Sequence, residues 1–350
     1  MAGRRGAERG GLPKGDQAEE CLRRYFLSSG YFVVRGAKFR YSGLDVTDVD
    51  LWLYLRGGPV SRERCIVDVK NKKTPQVLER VFWVKGLKEV LGVEQCIVVT
   101  TDNREEPRAF GTRHRVTVLH GEFLQRVGRT YRDPGGRLSE GEFVQSLRTA
   151  CITDGNVVWT RLYDDAKGLV LGSIGFNACN RLLGHVRRAL EDYVASSGGS
   201  VAATRLLYAF TGLFLVALDY RLGPVAPLEA RSREQALVDG FRYGDAGKAR
   251  AQEVVDRALS LAAATSSANL FSRRGMEAEI EKQLTDYPAE VLAEFFAKTE
   301  VLRSLFCVAR RFEAAAFASA LVPPGELPPE LKSVIGLLCD CWGLDRRTVL

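Results

Sequence analysis

Apolar residues recur along the first third of the chain with two alternating periods. Ala18, Cys21, Leu22, Tyr25 and Phe26 follow helical spacing over 16–28, and Ser29-Gly30 ends that run. Residues 31–34 read as a short strand. Residues 49–55 and 64–70 alternate with period two and read as two strands joined through Arg56-Gly57-Gly58-Pro59 and its neighbours. Thr74-Pro75 opens a helix whose apolar stripe is Val77, Val81, Val84, Leu87 and Leu91, and Gly92 closes it. Residues 95–101 and 115–119 are two further strands, and 121–127 a closing helix. The predicted order is αβββαββα, whose first six elements form an αβββαβ sandwich of α/β class.

The pattern changes after Arg132-Asp133-Pro134-Gly135-Gly136, which reads as a linker. Helical periodicity then dominates: 141–151, 175–195, 202–219, 232–241, 248–264, 276–284, 287–319 and 328–342. The glycine-flanked stretch 161–165 fits no element. The expected organisation is a basic tail over 1–13, an α/β domain over 14–130, a linker over 131–139 and a helical domain over 140–350. Residues 206–218 form the longest apolar run, 13 residues against the roughly 20 a membrane helix needs, so it reads as the buried spine of a domain.

Strand parity gives these elements a chemistry, because side chains alternate faces along a strand. Val49, Leu51, Leu53 and Leu55 share one face with Cys65, Val67 and Val69, which is wholly apolar. Asp48, Asp50, Trp52 and Tyr54 point the other way, with Arg64, Ile66, Asp68 and Lys70. A hairpin loop over 56–63 sets Asp50 opposite residue 69 and diagonal to both Asp68 and Lys70, about 5 to 8 Å away. Two carboxylates and an ammonium at that spacing suit a hard divalent cation held by Asp50, Asp68 and water. Magnesium, or manganese in its place, would neutralise charge on a phosphoryl group, with Lys70 orienting or deprotonating the attacking water. The same tripeptide also suits an ion pair beside a sheet. Trp52 and Tyr54 either stack on bases or pack under a helix, and packing is the preferred reading.

Composition narrows the partner. The chain has 350 residues, 46% hydrophobic, and a formal charge of +7. Residues 1–130 hold 24 Lys and Arg against 16 Asp and Glu, a net +8, so the basic excess lies in the α/β part and suits DNA or RNA. The eight cysteines are scattered through apolar runs and read as core thiols in a reducing compartment. Residues 1–15 lack the apolar stretch of a signal peptide, so the expectation is a cytoplasmic protein without a membrane partner. No Cys/His spacing suits zinc.

Lys14-Gly15-Asp16-Gln17-Ala18-Glu19 opening a helix, Val49-Asp50-Leu51 on a strand and Cys65-Ile66-Val67-Asp68-Val69-Lys70 on the next resemble the PD-(D/E)XK nuclease superfamily. The likeness is nearest to archaeal Holliday-junction resolvases and Mrr-type restriction endonucleases, and spans residues 14–128. It implies a restriction-endonuclease-like fold and a metal-dependent DNA endonuclease. Asp50, Asp68 and Glu19 would then be metal ligands and Lys70 the water-positioning base. Lys72, Lys73 and Gln76, directly after the site, are expected to contact phosphates. Val49-Asp50 stands where the family has proline-aspartate, and Asp48 competes for that role. Asp16 to Glu19 also reads as a capping box, in which Glu19 only returns to the N-cap amide. Cutting both strands with one site per chain favours a homodimer, and the helical domain would supply target choice, dimer contacts or a surface for a protein partner. The alternative is a DNA-binding or assembly protein that keeps the fold without catalysis. Arg113, His114 and Arg115 read as ordinary surface, His120 as a strand end and His185 as a helix-surface residue.

Overall fold

The structure is a computed structural model that describes residues 14–71, 76–132, 135–148, 159–196, 200–265 and 273–350. The chain divides into two compact units, one of Met1–Leu55 and Glu63–Gly135, the other of Arg56–Arg62 and Gly136–Leu350. The first is α/β with a mixed sheet, and the second is helical.

In the first unit α1 (Lys14–Ser28) precedes β1 (Phe32–Tyr41), β2 (Leu44–Arg56) and β3 (Arg62–Lys70). Then come α2 (Val77–Leu91), β4 (Gln95–Thr100), α3 (Glu105–Arg113), β5 (Thr117–Leu119) and α4 (Gly121–Thr130). The sheet order is β1-β2-β3-β4-β5. β1 pairs antiparallel with β2, whereas β4 runs parallel to both β3 and β5. Each parallel step needs a crossover, and α2 and α3 are those crossovers. The observed order is therefore αβββαβαβα, with α3 as the element the periodicity did not reveal. Its buried residues are Pro107 and Gly111, neither of which marks an apolar stripe. A Cβ on Gly111 would lie 2.5 Å from Val118 Cγ2, so glycine is what lets the helix lie against β5.

β1 is longer than the expected 31–34. It continues through Gly36, which has a positive φ of 61°, to a two-residue turn at Ser42 and Gly43. α2 has the expected stripe of Val77, Val81, Val84, Leu87 and Leu91, and Gly92 ends it in the left-handed conformation at φ 63°. Thr74 and Pro75, expected to open that helix, lie outside the described residues.

Strand parity holds on the α1 and α4 side. Leu51, Leu53, Cys65, Val67 and Val69 join Cys21, Leu22, Phe26, Phe123 and Val127 in one core. The opposite face is not an open surface: Trp52 and Tyr54 are both 0% exposed and stack at 6.1 Å with ring planes 8° apart. They pack, and are closed to bases.

The second unit comprises α5 (Glu140–Arg148), α6 (Trp159–Leu169), α7 (Phe176–Ala195), α8 (Val201–Leu222) and α9 (Ala230–Tyr243). It continues with α10 (Gly247–Thr265), α11 (Arg273–Asp286), α12 (Ala289–Phe296), α13 (Thr299–Phe317) and α14 (Pro329–Cys341). α8 is the spine, packed by α5, α6, α7 and α13. Among the described residues it is the one helix long and apolar enough to cross a bilayer, and 94% of its apolar window is buried inside the fold.

Four sequence expectations change here. Residues 161–165 belong to α6. The single helix over 287–319 is two helices, because Ala297 and Lys298 break it and the buried Arg233 donates to the freed Ala297 carbonyl at 2.9 Å and to Thr299 Oγ1 at 3.0 Å. His185 is largely buried, with Nε2 3.0 Å from Asp165 Oδ2, which holds the Asp165 carboxyl below its usual range. Of the cysteines, Cys307 is exposed and Cys341 half-buried, so these two are not core thiols, while Cys151 lies outside the described residues.

Candidate active site

The acids of the two central strands meet. On β2, Asp50 is half-buried and its Oδ2 accepts the Val69 N–H of β3 at 2.7 Å. On β3, Asp68 is 5% exposed, and Lys70 Nζ lies 3.3 Å from its Oδ1. Asp48 is exposed on the outer part of β2, opposite Lys38 of β1, apart from these groups.

Glu19 reaches the same neighbourhood from α1. The helix begins at Lys14, so Asp16 is inside it and is not its N-cap. Arg35 of β1 gathers the first turns of that helix: its Nε donates to Glu19 Oε2 at 2.8 Å, and its terminal nitrogens to Asp16 at 2.9 Å and Glu20 at 3.0 Å. Glu19 thus pairs with a strand arginine instead of serving as a cap.

Charge is unevenly compensated. Burial pushes the Glu19 carboxyl up; Arg35 opposes this, and the Asp50 charge adds to it. Burial also pushes Asp50 up, with the Val69 amide, Lys70 and Arg80 opposing and Asp68 adding. Two carboxyls therefore resist ionisation partly because each has an acid for a neighbour, which is the condition a cation relieves.

Arg80 is the residue that strand reasoning missed. Its Nε donates to Asp68 Oδ2 at 2.9 Å and its terminal nitrogen to Oδ1, while the guanidinium lies 4.1 Å from the Trp83 ring. The signal was present: residue 80 is three after Val77 and four before Val84, flanking the buried stripe of α2. A basic residue at the border of a buried stripe is best satisfied by an acidic partner. Arg35, buried on β1 beside three acids, is the second such residue.

Gln76 caps the N-terminus of α2 by position, is exposed, and makes no side-chain cap bond. Lys72 and Lys73 lie outside the described residues. A groove of about 480 Å³ passes Gln17, Cys21, Asn71, Gly121 and Gln125, next to the end of β3 that carries Lys70.

Among the described residues no three His, Cys, Asp or Glu side chains converge as a ready metal cluster. The donor chemistry of Asp50 and Asp68 suits magnesium nonetheless, since that ion is commonly held by one or two carboxylates with water completing its shell. One Asp68 oxygen would have to leave Arg80 for this to happen. Comparison with family models, with curated proteins and with solved structures finds no match for this chain.

Proposed function

We propose that the α/β unit is a metal-dependent endonuclease of PD-(D/E)XK type that hydrolyses DNA phosphodiester bonds. The observation that carries this is the meeting of Asp50, Asp68 and Lys70, with Val69 N–H on Asp50 at 2.7 Å and Lys70 Nζ on Asp68 at 3.3 Å. Asp50 and Asp68 would hold magnesium or manganese, with Glu19 as the third carboxylate. A bound divalent cation supplies charge neutralisation at the phosphoryl oxygens and a more acidic water.

The chain's own groups supply orientation. The Val69 amide fixes one Asp50 oxygen, leaving the carboxylate little freedom to turn. Lys70, 26% exposed along its side chain, keeps its ammonium beside Asp68 and accessible to a solvent molecule that it would position for attack. Arg35 holds Glu19. The restriction-endonuclease-like fold, the cytoplasmic setting and a dimer that cuts both strands belong to this same reading.

A second reading has one observation in its favour: Arg80 engages both Asp68 oxygens, as in a site that has exchanged a cation for a guanidinium. The protein would then bind DNA, or assemble on it, without cutting.

Cleavage of plasmid and branched DNA with and without magnesium tests both. The nuclease reading expects cutting by the parent and none by Asp68→Ala or Lys70→Ala, with circular dichroism unchanged. Cutting by either variant at the parental rate refutes the site. A parent that binds DNA and leaves it intact with both magnesium and manganese supports the second reading.

A further inference from the structure

Away from these acids, α2 and the end of α3 form a second feature of the same unit. Lys85, Lys88 and Glu89 of α2, with Arg113, His114 and Arg115 following α3, line a concavity of about 290 Å³. Four permanent cations and an imidazole face a single carboxylate there. Among the described residues, none of the four cations forms an ion pair, whereas other surface arginines do: Arg40 with Asp45, Arg104 with Asp102, Arg346 with Asp340. Uncompensated like charges around a hollow repel one another, and an anion inside it removes that repulsion.

Arg115 sharpens the point. It has φ of 59°, in the left-handed region, while Val116 N–H closes onto Gly111 O at 2.9 Å to end the helix. Glycine or asparagine is the usual residue there. An arginine that accepts that backbone costs stability for the sake of its side chain.

The aromatic neighbours identify the kind of anion. Phe82, one turn before Lys85, is 63% exposed and meets Phe110 at 5.5 Å; Phe110 meets His114 at 4.4 Å. His114 belongs both to this aromatic group and to the cationic hollow. Phosphate-binding cations adjoining an exposed ring match a nucleotide, with its backbone in the hollow and its base on the ring. Only an unpaired base has a face free to stack. We infer that the α2–α3 face binds single-stranded DNA, with phosphate held by Lys85, Lys88, Arg113 and Arg115 and a base stacked on Phe82. None of these residues belongs to the acidic site, and binding here needs no metal.

The test is fluorescence anisotropy of the full chain in EDTA with a labelled oligothymidylate of about 12 nucleotides. Lys85→Ala and Arg115→Gly are expected to weaken binding about three- to tenfold each and to lower the salt slope by about one. Arg115→Gly suits the left-handed backbone, so it should also raise the melting temperature, which separates lost binding from lost folding. Phe82→Ala should weaken binding at least about fivefold with the salt slope unchanged, and an abasic strand should show the same loss. Arg187→Ala, on α7, should bind like the parent. Parental affinity in Lys85→Ala and Arg115→Gly overturns the site. Equal affinity for duplex or abasic DNA, or displacement by polyglutamate at equal charge, overturns the single-strand assignment. A parent that binds in EDTA and never cuts with magnesium or with manganese refutes the nuclease reading and leaves this site standing.

Discussion

Arg80 clamps Asp68: the guanidinium donates to both carboxylate oxygens, Nε to Oδ2 at 2.9 Å, while Lys70 holds a looser contact at 3.3 Å. A divalent cation at the proposed site would therefore compete with Arg80 for one acid. Arg80→Met keeps the apolar stem and removes the competitor. Breaking a buried pair costs about 3–5 kcal/mol when the remaining charge has no partner, and Lys70 keeps this loss near the lower end. The variant should be less stable than the parent in EDTA, and magnesium should raise its melting temperature more than it raises the parent's. Equal responses in the two proteins would mean that cation and guanidinium do not share Asp68.

Asp50 makes the opposite prediction for stability. Its folded carboxyl titrates above the ordinary value because of burial and the Asp68 charge. Between the ordinary and the raised value the native state holds more protons than the unfolded chain, so stability falls as pH rises through that window. Above it the penalty is complete. Asp50→Asn keeps an oxygen for the Val69 N–H and removes the charge. It should gain about 0.5–2 kcal/mol near neutral pH and, under the proposed nuclease function, lose cleavage, the exchange expected where a buried acid serves catalysis. In urea titrations the gain should shrink as pH falls from neutral through the raised window, as the parental carboxyl takes up its proton.

Two helical glycines of the second unit should respond in opposite directions to alanine. A Cβ on Gly240 of α9 would lie 2.2 Å from the Phe176 ring, whereas one on Gly184 of α7 meets nothing within 4 Å. Gly240→Ala should lose about 1–3 kcal/mol through overpacking. Gly184→Ala should gain about 0.4–1 kcal/mol, because alanine loses less backbone entropy in a helix. Urea midpoints of the two variants moving in the same direction would contradict the packing of α7 on α9.

The β1–β2 turn stores a small strain. Ser42 and Gly43 both have positive φ, 50° and 83°, as a two-residue turn between paired strands requires. Serine is strained there and asparagine is not. Ser42→Asn should stabilise the unit by about 0.5–1 kcal/mol and Ser42→Val should destabilise it, read as melting temperature.

What the sequence disclosed was local. Alternation sorted Leu51, Leu53, Cys65, Val67 and Val69 onto the core face, and helical spacing found the α2 stripe with its Gly92 stop, because each depends only on near neighbours. The same alternation brought Asp50, Asp68 and Lys70 together. What it hid was set by distant partners or by small residues. The break between α12 and α13 depends on Arg233, 64 residues before Ala297. α3 lies on the sheet through Pro107 and Gly111, which register as turn formers. His185 looked like surface because Asp165, its partner, sat in a stretch with no assigned element. Arg35 and Gly36 made the middle of β1 resemble a loop, though the strand runs ten residues.

The two ends of the sheet within the first unit guard against self-templating in different ways. β5 offers only three residues, too few to seed a ladder, while β1 offers ten. On that long border Lys38 places positive charge, and an irregularity between Phe39 and Arg40 interrupts the flat register an incoming strand would copy. Fibril growth by strand addition is thus opposed by brevity on one side and by charge with a kink on the other.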